Sequence, residues 1–143
     1  MCALVLSGCG DSGLNPFGWF GGQQEEPTET VSDAQIVTIE DPRPLIASVT
    51  AVRVERTPGG AIVRATGLPP EQGWHSAGLV RRGSVSNGVL TFDFRAIPPE
   101  TPTRTSTVQS RELVVAFTLS NTTLQSVRQI RVVGATNALT TRR

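Results

Sequence analysis

The stretch Leu90-Thr91-Phe92-Asp93-Phe94-Arg95-Ala96 alternates apolar and polar side chains with a period of two. Successive side chains of an extended strand leave on opposite faces, so Leu90, Phe92, Phe94 and Ala96 are expected on a dry face and Thr91, Asp93 and Arg95 on a wet one. A helix would scatter the same residues around its circumference. Asn87-Gly88, just before this strand, is a favoured type I′ turn pair, and Pro98-Pro99 is expected to end it.

Outward from this strand the same grammar recurs. Leu113, Val115, Phe117 and Leu119 repeat the alternation, and β-branched runs separated by Pro and Gly predict strands at 35–40, 45–56, 61–67, 75–81, 88–97, 112–120 and 129–134, with a short one near 137–141. No amphipathic helix is needed. Pro58-Gly59-Gly60 supplies a turn between two of these runs, and Pro69-Pro70 stops another. Strands with one dry face bury it by stacking two sheets, so residues 35–143 are expected to form an all-β, immunoglobulin-like β-sandwich of about seven strands. The Cys-Trp-Cys spacing of antibody domains is absent. Trp74, delivered by the Gly67–Gly73 turn to the start of a strand, is expected to be a structural anchor.

The chain has 143 residues, enough for one ordinary domain, and its 38% hydrophobic and 17% charged content suits a folded body. A separate cofactor domain would not fit. No run of 18 apolar residues is present, which excludes a membrane-crossing helix from the sequence given. All 13 basic residues are Arg, and the formal charge of +1 hides a split: residues 1–42 hold seven acids and no base, whereas residues 43–143 hold 13 Arg against five acids. The segments therefore carry −7 and +8, and whole-chain charge describes neither.

Near the beginning, Leu6-Ser7-Gly8-Cys9 follows apolar Ala3-Leu4-Val5 and precedes a Gly/Asp/Ser stretch. This tetrad resembles the lipobox of bacterial lipoproteins, in which a diacylglycerol is joined to the Cys thiol before cleavage on its N-terminal side. The resemblance implies that residues 1–8 are a signal remnant, that Cys9 is lipidated with fatty acyl chains such as palmitate, and that the bilayer is a partner through them. It departs from the family in lacking a basic n-region and a full apolar run of 7–15 residues. Met1 is accordingly read as lying downstream of the true start. The alternative is translation from Met1 and a cytosolic chain. Loss of Cys2 with the signal and acylation of Cys9 would leave no free thiol, as suits an oxidising envelope. Gly10, in place of the Asp associated with inner-membrane retention in such families, favours the outer membrane, with the body facing the periplasm.

Residues 9–34 are rich in Gly, Pro, Ser, Thr, Gln and Glu, a composition expected to remain a disordered tether. Within it, Phe17, Trp19 and Phe20 are flanked by glycines and are candidates for an interface with the headgroup layer or a partner's groove. Residues 98–111 form a long Thr/Ser-rich connection, which makes Arg104 and Arg111 candidates for a binding loop. The 67–79 stretch and Ile130-Arg131-Val132-Val133-Gly134-Ala135 make the body similar to small bacterial lipoproteins with immunoglobulin-like bodies, a resemblance that implies no activity.

Catalytic patterns are missing from the sequence. His75 is the one histidine, no Ser sits in a Gly-x-Ser-x-Gly elbow, and a zinc site would lack ligands, so neither an enzyme nor a metal or other cofactor is expected. The arginines are spread over different strands with no interleaved aromatics, which argues against nucleic acid. The expected role is a noncatalytic, lipid-anchored envelope module contacting a protein partner or an anionic envelope polymer. Alternatives are an accessory subunit of a larger envelope complex and a cytosolic basic binding domain.

Overall fold

A computed structural model describes residues 40–143. Cys9, Phe17, Trp19, Phe20, the tether at 9–34 and all but Glu40 of the expected 35–40 strand lie outside the described residues; Glu40 itself is not in a strand.

The described body is an all-β sandwich. β1 (Ser48–Thr57), β2 (Gly60–Leu68) and β5 (Leu113–Ser120) form a three-stranded sheet in the order β1-β2-β5. β3 (His75–Arg81), β4 (Val89–Ile97), β6 (Gln129–Val133) and β7 (Ala138–Arg142) form a four-stranded sheet in the order β3-β4-β6-β7. The alternation on β4 puts Leu90, Phe92, Phe94 and Ala96 in the core, each fully buried. From the opposite sheet they meet Val63, Ala65, Val115 and Leu119, and the Phe92 and Phe117 rings sit 4.9 Å apart at a 52° tilt. Each large apolar side chain buried here contributes about 1.5–3 kcal/mol relative to exposure. At Gly67 a Cβ would fall 2.7 Å from the Phe94 ring, so the sheets approach where only glycine leaves room.

Local turn chemistry follows the sequence. Asn87 and Gly88 both adopt positive φ, at 52° and 76°, while Ser86 and Val89 exchange two backbone hydrogen bonds, the geometry of a type I′ turn.

Three features differ from the sequence expectation. β4 and β6 run parallel, pairing Val89 with Gln129 through Asp93 with Val133, whereas immunoglobulin sheets are antiparallel. The excursion through β5 in the other sheet is the long crossover that a parallel pair requires. A short helix, α1 (Asn121–Leu124), joins β5 to β6; Ser120 caps it by accepting a hydrogen bond from the Thr123 N–H, and Leu124 is buried. Finally, Asp93 does not lie on a wet face: it is 6% exposed.

The reason for that last difference is the segment before β1. Pro44, Leu45 and Ile46 pair with β4 beyond the end of β6, through Ile46 N–H to Phe94 O at 2.8 Å and Ala96 N–H to Pro44 O at 3.2 Å. The preceding residues bring Asp41 and Arg43 to the outer side of β4, where Arg95 donates to the Arg43 carbonyl at 2.6 Å. On the other side of Ile46, the β6–β7 turn is fixed to β1 by Asn137. Its side chain donates to Val49 O and accepts from Val49 N–H, both at 2.8 Å, and so replaces two ladder bonds with one amide.

Candidate functional site

The expected loop residues have divergent surroundings. Arg111 is not a free loop cation: its guanidinium donates to the carbonyls of Pro69 and Pro70 at 2.8 and 2.9 Å. Glu71 Oε2 accepts from Thr103 N–H at 2.7 Å, Thr103 Oγ1 donates to Gln72 O, and Gln72 N–H donates to Arg104 O. The 98–112 connection is therefore tied to the 69–74 turn. Arg104 is exposed, and among the described residues its guanidinium has no hydrogen-bond partner. Trp74 is half-buried and packs against the core, with Nε1 enclosed and unbonded.

His75 is exposed, with Nδ1 3.1 Å from Ser76 Oγ. Among the described residues no three His, Cys, Asp or Glu side chains converge as metal ligands.

Charge on the outer side of the four-stranded sheet is arranged as a structural network. Arg82 Nη2 stands 2.5 Å from Asp93 Oδ1, and Arg95 Nη2 donates to Oδ2 at 2.9 Å. Asp41 receives the Arg43 guanidinium on both oxygens, at 2.9 Å from Nε and 2.6 Å from Nη2, and also accepts the Arg43 backbone N–H. Arg43 then crosses above Gly78 to donate to Ser76 O. Asp93, expected on a wet face, is thereby enclosed by two arginines, and Asp41 is paired with Arg43 at the part-exposed margin of the same sheet.

The side-chain and backbone hydrogen bonds from Arg43 hold the Asp41 carboxyl down to about 2 from its ordinary 3.8. A carboxyl whose folded value is depressed contributes stability that is complete above its unfolded value and is lost as pH falls through the folded one. Asp41 is thus expected to support the fold above pH about 4 and to stop doing so between about 4 and 2. Asp41→Asn should flatten acid unfolding, followed by circular dichroism, across that window. Superimposable acid profiles for the two proteins would contradict this.

The three-stranded sheet presents a different outer face. Its cross-strand rows are Ala51-Thr66-Val114, Arg53-Arg64-Ala116 and Glu55-Ile62-Thr118. Arg53 and Arg64 are directly opposed like charges. Arg64 reaches Glu55 at 3.4 Å with both side chains about half exposed, while Arg53 has no ion-pair partner among the described residues. Ala51, Arg53, Arg64, Thr66 and Val114 line a shallow trough of about 270 Å³. A second cavity of about 400 Å³ opens near α1, where Val54, Ala61 and Leu124 form its apolar side and Arg56, Asn121 and Arg143 its polar side. Arg143 also donates to the Leu124 carbonyl.

The edges of the two sheets are unequal. β1 carries a bulge between Val49 and Ala51 and the charges Arg53, Glu55 and Arg56. β3 is interrupted between His75 and Gly78, and β7 has only five residues and ends in Arg142. β5 has none of these devices: eight uncharged residues without Gly, Pro or bulge keep continuous register with β2. Among the described residues its outward backbone groups have no partner beyond β2, and Val114 is 60% exposed. The sheet order β1-β2-β5 makes β5 an edge. The Arg53–Arg64 opposition was hidden because register between strands is not visible in a single strand's pattern.

Compared with protein-family models, curated proteins and solved structures, the chain matches none.

Proposed function

We propose that the protein is a noncatalytic, membrane-anchored lipoprotein of the bacterial envelope, held by acylated Cys9 in the outer membrane, whose β-sandwich body contacts a protein partner or an anionic envelope polymer. The observation that carries this reading is the lipobox-like Leu6-Ser7-Gly8-Cys9, ahead of a body whose described residues form a two-sheet core from Ile46 onward. Several acyl chains bury many methylenes at about 0.8 kcal/mol each, enough for stable attachment where one chain is marginal. The body is read as immunoglobulin-like in strand number and layering, with the parallel β4–β6 pair as its own departure.

Binding rather than catalysis is supported by what the surface offers. Guanidinium groups such as Arg53, Arg64 and Arg104 grip carboxylates and phosphates through paired donors, a chemistry suited to peptidoglycan carboxylates, lipid phosphates or acidic protein segments. The unguarded β5 edge favours a second reading, a subunit of a larger envelope complex.

The test is fractionation of the native host expressing Cys9→Ser. Wild-type chain is expected in the membrane pellet with incorporated palmitate, and the variant in the soluble fraction without it. Equal distribution of the two, with no label in either, would overturn the anchor.

A further inference from the structure

We propose that β5 is a strand-addition site, at which the edge Leu113–Ser120 takes an extended segment of a partner protein and the Arg53–Arg64 trough takes a carboxylate on that segment. This rests on the reading of the body as a protein-contacting module but is independent of how the chain is anchored.

Two observations meet at this place. The first is the unprotected edge. Sheet edges invite pairing, and proteins normally blunt them with charge, Pro, bulges or brevity. β1, β3 and β7 each carry such devices, whereas β5 offers eight consecutive residues in unbroken register with no charge. Its outward row of N–H and C=O groups is what an eighth strand, the fourth of this sheet, would use, and main-chain bonds of this kind give affinity with little demand on sequence. Val114, Ala116, Thr118 and Ser120 face outward, so an added strand would set alternate side chains beside a row of small, uncharged side chains.

The second observation selects the ligand's charge. On the row shared with Ala116, β2 and β1 contribute Arg64 and Arg53, opposed like charges with only Glu55 nearby. Ala116 is too short to screen them from the strand position next to β5. A Glu on an incoming strand, placed beside Ala116, would reach over that methyl toward Arg64 and relieve the repulsion. The preferred occupant is therefore a β-branched, alternating segment with one central acid. A basic segment is disfavoured there, and a second copy of β5, being uncharged, leaves the arginines uncompensated.

The probe is a soluble nonapeptide, TVTVEVTVT, and its central Gln counterpart, titrated into the ¹⁵N-labelled full chain. Expected results are chemical-shift changes and slowed amide exchange on alternate residues of 113–120, with the Glu peptide about threefold tighter than the Gln peptide, the scale of an exposed ion pair. Ala116→Glu, at an exposed position, is expected to weaken the Glu peptide by at least about threefold, by adding a like charge and engaging Arg64, while leaving the spectrum of the fold intact. Shifts confined to another edge, no saturable shift at all, or self-association through β5 that excludes the peptide would each overturn the proposal. None of these outcomes bears on Cys9, so failure here leaves the anchor reading to its own test.

Discussion

Phe92→Ala is expected to lower the unfolding free energy by about 3–5 kcal/mol. Phe92 is fully buried at the centre of β4, a strand held on both sides by β3 and β6, so the backbone cannot collapse into the space the ring leaves. The loss also removes the tilted contact with Phe117, 4.9 Å away in the opposite sheet, which is the direct aromatic contact between the layers. Small domains are stable by only about 5–15 kcal/mol in total, so the variant should unfold at a much lower denaturant concentration or fail to accumulate. Urea unfolding followed by tryptophan fluorescence reads this, since Trp74 packs against the same core. A loss below about 1 kcal/mol would mean that the site relaxes as a surface position does.

Asp93→Ala is expected to cost about 3–5 kcal/mol, because it removes one partner of a buried ion pair and leaves the other. Asp93 is 6% exposed, and Arg95, which donates to it at 2.9 Å, has a side chain only 19% exposed. Arg95 would keep its bonds to the Arg43 and Asp41 carbonyls but lose the one carboxylate that it pairs with among the described residues. Arg82 is half exposed on the same carboxylate, so Arg82→Ala should cost no more than about 1 kcal/mol. The ratio of the two losses, from equilibrium denaturation, is the measurement. Equal small effects would show that the Asp93 network is solvated.

What was legible in the sequence was whatever a strand dictates about itself. The Leu90–Ala96 alternation fixed which side chains enter the core, and Asn87-Gly88 fixed a turn, because period and φ preference are local. Asp93 could not be placed correctly from its own strand, because its burial comes from Arg82 and from the 41–46 segment folding across β4. Arg111 reads as a loop cation until Pro69 and Pro70, some forty residues earlier, turn their carbonyls toward it. Asn137 is similar: the amide that closes β1 meets Val49 across a sequence separation of 88. α1 did carry a signal in Ser120-Asn121-Thr122-Thr123, a capping sequence, yet four residues show no helical periodicity. The parallel β4–β6 pair has no sequence signature at all, since alternation names a face and never a neighbour.

The same distinction governs the functional reading. The lipobox-like tetrad ending in Cys9 is a contiguous motif and so is visible in the sequence as a proposal, whereas the β5 edge and the Arg53–Arg64 trough emerge only when three strands are set in register. The most direct test of the account is the intact mass of the mature chain from its native host. A polypeptide beginning at Cys9 and heavier than its sequence by a diacylglycerol is the predicted result. A lipid-free chain retaining the residues before Cys9 and recovered from the soluble cytosol would contradict it.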